Sequence, residues 1–188
     1  MNTEAEAKPT LFLIDGNNYV YRAFYAIREL SNSKGFPTNA IYGFTNMLMK
    51  LLREKQPTYI AVAFDMKGPT FRHEAFEAYK ATRKPMPEPL RPQIDYIKNI
   101  VRGFSIPVLE REGIEADDII GTLAHRFGAE ELQVVVVSGD KDLMQLVNDH
   151  VVMVDTMKDM VYDAEAVRKR FGVDPDKVVE ILGLMGDS

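Results

Sequence analysis

Three short β-rich apolar runs that end in aspartate constrain this chain more than any other feature. Residues 11–14 run into Asp15, residues 59–64 into Asp65, and residues 133–137 pass through Ser138 and Gly139 into Asp140, with Asp142 two positions on. A fourth run, residues 151–154, has the same character. Between the runs lie segments with apolar residues three and four apart: 18–30, 40–55, 91–102 and 117–127. Short β-rich runs alternating with helical periodicity predict an α/β fold, a mostly parallel sheet covered by helices on both faces. In such a sheet the strand ends share one edge, and ligands bind outside that edge. Asp15, Asp65, Asp140 and Asp142 are therefore expected to converge. Glu115, Asp117 and Asp118, just ahead of the apolar segment 117–127, are candidates for the same place.

Aspartate is also a common turn and helix-cap residue, which accounts for any one of these placements taken alone. Jointly that account weakens. With 28 acidic residues among 188, three strand ends acquiring a carboxylate by chance is an event on the order of a few percent, turn enrichment included. Seven carboxylates in one crevice could not all stay ionised without cations, because like charges a few ångströms apart repel strongly. The chain has no cysteine, so thiolate sites, thiol catalysis and disulfides are excluded together. Ligation by oxygen alone selects a hard ion, Mg²⁺ or Mn²⁺, and so many ligands suit two ions ~3.5–4 Å apart, an arrangement that serves phosphoryl chemistry.

Other classes lose support. No G-x-G-x-x-G follows a strand, and there is no Walker A motif, no EF-hand loop and no nucleophile elbow. His73, His125 and His150 lack ligand spacing and are expected to be solvated or locally bonded. A metal-dependent phosphatase or a phospho-receiver wants a second acidic residue close to Asp15, where Gly16 and Asn17 stand.

The net charge of −5 argues against broad nucleic-acid binding, but the charge is unevenly spread. From Lys67 to Arg102 there are eight basic residues (Lys67, Arg72, Lys80, Arg83, Lys84, Arg91, Lys98, Arg102) against four acidic ones (Glu74, Glu77, Glu88, Asp95), a local +4. Phe71, Phe76 and Tyr79 interleave with the cations, which suits a single strand gripped by phosphates and bases, and equally a solvated helix with long cationic stems. The proline-rich stretch 84–92 reads as an exposed, semi-rigid excursion. Asp163 is expected to cap a helix over 164–171, and Asp174-Pro175 to open another over 176–184. The first ten residues carry no apolar signal segment, and no later stretch approaches the ~18 apolar residues of a membrane span, so a cytoplasmic protein with a flexible N-terminus (1–10) is expected.

Taken in order, Asp15-Gly-Asn with Tyr21-Arg22-Ala, Phe64-Asp65, Phe71-Arg72 through Tyr79-Lys80-Ala-x-Arg83, Glu115-Ala-Asp117-Asp118, Ser138-Gly-Asp140-Lys-Asp142 and Gly186-Asp187 resemble the 5′-nuclease domains of bacterial DNA polymerases I, kin to the flap endonucleases. The resemblance runs from about Leu11 to the end. It implies a PIN-like three-layer fold over residues 11–173, a helical arch inserted at about 70–92, and over 174–188 the first helix of an incomplete helix–hairpin–helix module. It implies metal ligands at Asp15, Asp65, Glu115, Asp117 and Asp140, with Asp118, Asp142 and Asp187 nearer a second ion, and two Mg²⁺ (or Mn²⁺) as cofactors. Lys80 and Arg83 match the catalytic cations of the arch, and Tyr21, Arg22, Arg72 and Tyr79 fall at DNA-binding positions. Tyr21 is also at helical spacing with Phe24 and Tyr25, which fits a core position as well.

The implied activity is metal-dependent hydrolysis of DNA at a 5′ end or 5′ flap, RNA–DNA primers included, in primer removal and repair. The implied partners are the polymerase domains of the same parent chain, around a monomer and away from membranes. In the family pattern a further carboxylate and the rest of the duplex-gripping module follow Gly-Asp, so a C-terminally incomplete domain is expected. A flap-binding domain without catalysis is the alternative. It should show missing carboxylates, and none is missing up to Asp187.

Overall fold

The computed structural model describes residues 8–76, 78–81 and 84–186. Arg83 and Asp187, and most of the expected N-terminal tail, lie outside the described residues. Among the described residues six strands are formed: β1 (Thr10–Asp15), β2 (Tyr59–Ala63), β3 (Val108–Leu109), β4 (Gln133–Val137), β5 (Val151–Asp155) and β6 (Met160–Tyr162). They make one sheet in the order β3-β2-β1-β4-β5-β6. Seven α-helices accompany them among the described residues: α1 (Gly16–Ala26), α2 (Asn39–Lys55), α3 (Phe71–Ala75), α4 (Ile94–Gly103), α5 (Ala116–Phe127), α6 (Ala164–Phe171) and α7 (Val178–Met185). The α/β class read from the sequence is the one found. Among the described residues no helix is long and apolar enough to cross a membrane.

The chain divides into two compact units, Met1–Leu13 with Pro57–Ile60 and Ile120–Ser188, and Ile14–Gln56 with Ala61–Ile119. In the second, β2 and β3 pair in parallel, Val62 opposite Val108 and Ala63 opposite Leu109. Its core is aromatic: the Tyr19 ring meets Phe44 edge-on at 6.0 Å, and Phe44 lies 6.5 Å from Phe64, all three being almost fully buried. Helices α1 and α2 approach closely at Gly43, where a Cβ would stand 3.0 Å from the Ala23 Cβ and 3.1 Å from the Ala23 carbonyl oxygen. The proline-rich stretch is exposed at most positions, but Met86 and Pro87 are half-buried and Leu90 is completely buried, a correction to the expected excursion. A turn in which Leu90 N–H donates to the Pro87 carbonyl (3.0 Å) brings that one apolar side chain inward.

In the first unit β4 and β5 pair in parallel from Val134–Val151 to Val137–Val154, and β6 returns antiparallel to β5. Valine at consecutive positions of β4 buries both faces, as a central parallel strand requires. Asp163 caps α6, accepting from the Ala166 N–H at 2.8 Å, and Gly172 ends it in the left-handed region at φ 75°. The segment expected to be helical over 176–184 opens as a 3₁₀ turn, Pro175–Lys177, before α7.

Candidate metal centre

Asp15 closes β1 and caps α1, its carboxylate accepting from the Asn18 N–H at 2.9 Å. The next residue is glycine because nothing larger fits: a Cβ on Gly16 would stand 2.6 Å from the Phe64 ring and 2.7 Å from the Ala63 carbonyl oxygen. The start of α1 therefore rests directly on the end of β2, and that contact delivers Asn17 to Asp65. The Asn17 amide donates to Asp65 Oδ2, while Asp65 Oδ1 accepts from the Ala116 N–H at 2.7 Å. Asp65 thus caps α5 from 51 residues away, satisfying a donor at the helix start. One carboxylate ties together the chain segments that carry Asp15, Asp65 and the acidic start of α5.

Glu115, nearly buried, and Asp117 and Asp118 in the first turn of α5 lie where the helix dipole favours negative charge. Three donors from the basic segment reach them. Arg72 binds Asp118 in a two-pronged pair, Nη1 to Oδ2 at 2.6 Å and Nη2 to Oδ1 at 2.7 Å, and Nη1 also lies 3.2 Å from Glu115 Oε2. The Tyr79 hydroxyl donates to Glu115 Oε2 at 3.0 Å, and Lys80 Nζ donates to Glu115 Oε1 at 2.7 Å. Lys80 holds this contact from a left-handed backbone, φ 55°, a conformation that costs a non-glycine residue about 1 kcal/mol. Hydrogen bonding to Arg72 holds the Asp118 carboxyl below its usual range against the opposing effect of burial, and the same bond raises the Arg72 guanidinium.

The scaffold behind these donors is local. In α3, His73 Nδ1 accepts from the Thr70 N–H at 3.1 Å, so this histidine is locally bonded as expected, and its ring meets Tyr79 edge-on at 5.2 Å. The Phe71 N–H donates to the Gly113 carbonyl at 3.2 Å, fastening α3 beside the approach to Glu115.

Asp140 and Asp142 belong to the other unit. Asp140 follows β4 and caps the 3₁₀ turn Lys141–Leu146 by accepting from the Asp142 N–H at 3.0 Å. Tyr21 and Arg22 are half-buried on α1. Tyr21 stacks on Tyr25 at 6.5 Å, and Tyr25 is 69% exposed, so that pair is a surface stack. Among the described residues no group of three or more Asp, Glu and His side chains is disposed to hold an ion as it stands. In this structure the oxygens of Asp65, Glu115 and Asp118 accept hydrogen bonds from protein donors. The donor chemistry nevertheless fits a hard cation, with oxygen ligands only and with Glu115 and Asp118 already accepting from a guanidinium and an ammonium. The residue that sequence reasoning missed is Asn17. Its signal was present in Asp15-Gly-Asn, but a neutral amide carries no charge to mark it.

An α/β sheet with carboxylates at its strand ends, and an aromatic, cationic segment paired to Glu115 and Asp118 at the start of α5, fits the class of a 5′-nuclease domain. The chain belongs to the family described as the 5′-3′ exonuclease, N-terminal resolvase-like domain, which its residues 10–172 match. It is 46% identical over 178 residues to a 5′-3′ exonuclease of Aquifex aeolicus, covering 95% of this chain and 62% of that one. It is 48% identical over 184 residues to a DNA polymerase I of Bacillus caldotenax, covering 96% of this chain and 21% of the polymerase. The chain therefore spans under two thirds of one relative and about a fifth of the other. The fold is shared with the T5 5′-exonuclease carrying bound zinc, at TM-score 0.69 and 20% identity, covering 95% of this chain and 67% of that one. It is also shared with the catalytic core of Rad2 in complex with a DNA substrate, at TM-score 0.61 and 19% identity, covering 96% and 55%.

Proposed function

We propose that this chain is the catalytic part of a metal-dependent, structure-specific 5′-3′ exonuclease and flap endonuclease acting on DNA. Its substrates are 5′ ends and 5′ flaps, RNA–DNA primers included. The observation that carries this reading is the pairing of Arg72, Tyr79 and Lys80 with Glu115 and Asp118: an acidic site that requires cations, flanked by the residues that would meet a phosphate. Support comes from relatives named 5′-3′ exonuclease and DNA polymerase I, and from fold neighbours determined with divalent ions or with DNA.

In this reading Asp15, Asp65, Glu115, Asp117 and Asp140 hold one Mg²⁺ (or Mn²⁺), and Asp118, Asp142 and Asp187 serve a second. When bound, hard divalent ions supply positive charge that acidifies water and offsets the charge at phosphorus. The chain's own residues do the rest. Lys80 and Arg83 act as catalytic cations that steady the negative charge developing on the scissile phosphate. Arg22 and Arg72 grip phosphates, and Tyr21 and Tyr79 offer ring faces to bases. Residues 70–92 form the arch over the 5′ strand, and 174–188 begin the duplex-gripping module. The domain works as a cytoplasmic monomer, joined to polymerase domains on one parent chain, in primer removal and repair.

The test is Mg²⁺-dependent cleavage of a 5′-flap substrate by the full-length chain. Asp140→Asn should lower kcat by about 100-fold or more while leaving flap binding largely intact. Cleavage that persists in EDTA, or that is untouched by Asp140→Asn, overturns the assignment.

A further inference from the structure

The carboxylate of Asp65 sits on an exposed turn after β2, where an aspartate would ordinarily sample several rotamers. Here both of its oxygens are held. Oδ1 accepts from a backbone group, the Ala116 N–H, which any residue but proline would provide at that position. Oδ2 accepts from a side chain, the Asn17 amide, whose identity is specific. Asn17 is itself fixed, because Asp15 caps its helix and Gly16 lets the helix backbone rest on Ala63 and the Phe64 ring without an intervening Cβ.

The chemistry of this donor differs from that around Glu115 and Asp118. Arg72 and Lys80 bring positive charge, so they orient those carboxylates and also compete for them. An amide is neutral. It orients Asp65 without cancelling its charge, and of the roughly four lone-pair directions of a carboxylate, the two hydrogen bonds use two and leave two for a cation. We infer that Asn17 is a positioning residue, holding the Asp65 carboxylate in place for a divalent ion. The inference rests on the metal-dependent reading above and extends it to a residue outside the carboxylate set. Groups that orient a metal ligand in this way typically change metal affinity by about 10–100-fold when removed.

The experiment measures Mn²⁺ binding to the full-length chain without DNA, reading free Mn²⁺ by electron paramagnetic resonance. It compares the wild type, Asn17→Ala, Asn17→Leu, Asp65→Ala and the Asn17→Ala/Asp65→Ala double variant. Asn17→Ala should weaken one Mn²⁺ site about 10–100-fold. Asn17→Leu, which keeps the volume and loses the donor without adding a carboxylate, should not restore it. In the Asp65→Ala background, Asn17→Ala should have no further effect. On a flap substrate the loss should appear in kcat at limiting Mn²⁺ and shrink at saturating Mn²⁺, with KM for DNA unchanged. Unchanged Mn²⁺ affinity in Asn17→Ala, or an equal loss in the Asp65→Ala background, overturns the role of Asn17 alone. Absence of Mn²⁺ binding by the wild type overturns the metal-dependent reading with it. If Asn17→Ala fails to fold, Asn17→Leu carries the comparison: wild-type affinity in that variant overturns the proposal.

Discussion

Replacing Gln93 by leucine should destabilise this protein by about 2–4 kcal/mol, although the two side chains have similar volume and the position is completely buried. Gln93 ends the 3₁₀ turn Arg91–Gln93 and reaches toward the start of α2. Its Oε1 accepts from the Ile41 N–H at 3.1 Å, one of the donors that a helix start leaves without an intrahelical partner, and Thr38 supplies no side-chain cap there. Its Nε2 donates to Asn39 Oδ1 at 2.9 Å and to the Pro89 carbonyl at 2.8 Å. Asn39 then donates to the Phe24 and Ile27 carbonyls at 3.0 and 3.1 Å, closing the end of α1. Leucine would strand the Ile41 N–H and Asn39 Oδ1 at about 1–3 kcal/mol each, while the Pro89 carbonyl, on an exposed residue, can turn to water. Burying leucine instead of an amide returns about 1–2 kcal/mol, which leaves the stated net loss. Urea denaturation in EDTA, with the m-value checked for constancy, measures it, and the melting temperature should fall by roughly 5–15 °C. A cycle with Asn39→Ala should show coupling of about 1 kcal/mol or more, since the two residues share one network. A loss below about 0.5 kcal/mol, or strict additivity with Asn39→Ala, would refute the claim that this network fastens α1, α2 and the Pro89–Gln93 turn together.

Two further predictions concern the candidate site. Arg72→Gln should cost about 1 kcal/mol at pH 7 without divalent ions, discounted for the partial exposure of both partners. The cost should shrink as pH falls below the ordinary carboxylate value of 3.8, because the folded Asp118 carboxyl lies lower than the unfolded one and its stabilisation vanishes once both are protonated. Urea midpoints at pH 7 and pH 3 test this, and an equal cost at both would show that the ion pair is not its source. Gly16→Ala should cost about 2–3 kcal/mol, since its Cβ would meet a buried ring and a backbone oxygen, neither free to yield. A urea midpoint within experimental error of the wild type would show that the start of α1 does not rest on β2.

What the sequence disclosed, and what it withheld, divides by how far apart in the chain the interacting groups lie. The strand Gln133–Val137 and the helix Ala164–Phe171 were legible to the residue, because a continuous β-branched run and a capping aspartate announce themselves within a few positions. β3 is only Val108–Leu109, too short for any periodicity. β6 is only Met160–Tyr162, too short for periodicity, and the lone Asp159 before it, at φ 51°, is a weak turn signal without a glycine. In the site the division is sharper. The caps made by Asp15 and Asp140 close over three and two residues and follow from local chemistry. The partners of Asp65 lie 48 and 51 positions away, and that of Asp118 lies 46 away. A linear reading found both charge populations, the acid at the strand ends and the local excess of base after Asp65. The family resemblance assigned Arg72 to a phosphate, and nothing local to it in the sequence announces a carboxylate partner as well. Folding brings Arg72 to Asp118, and the same geometry that hides the pairing from the sequence gives the acidic site cations of its own.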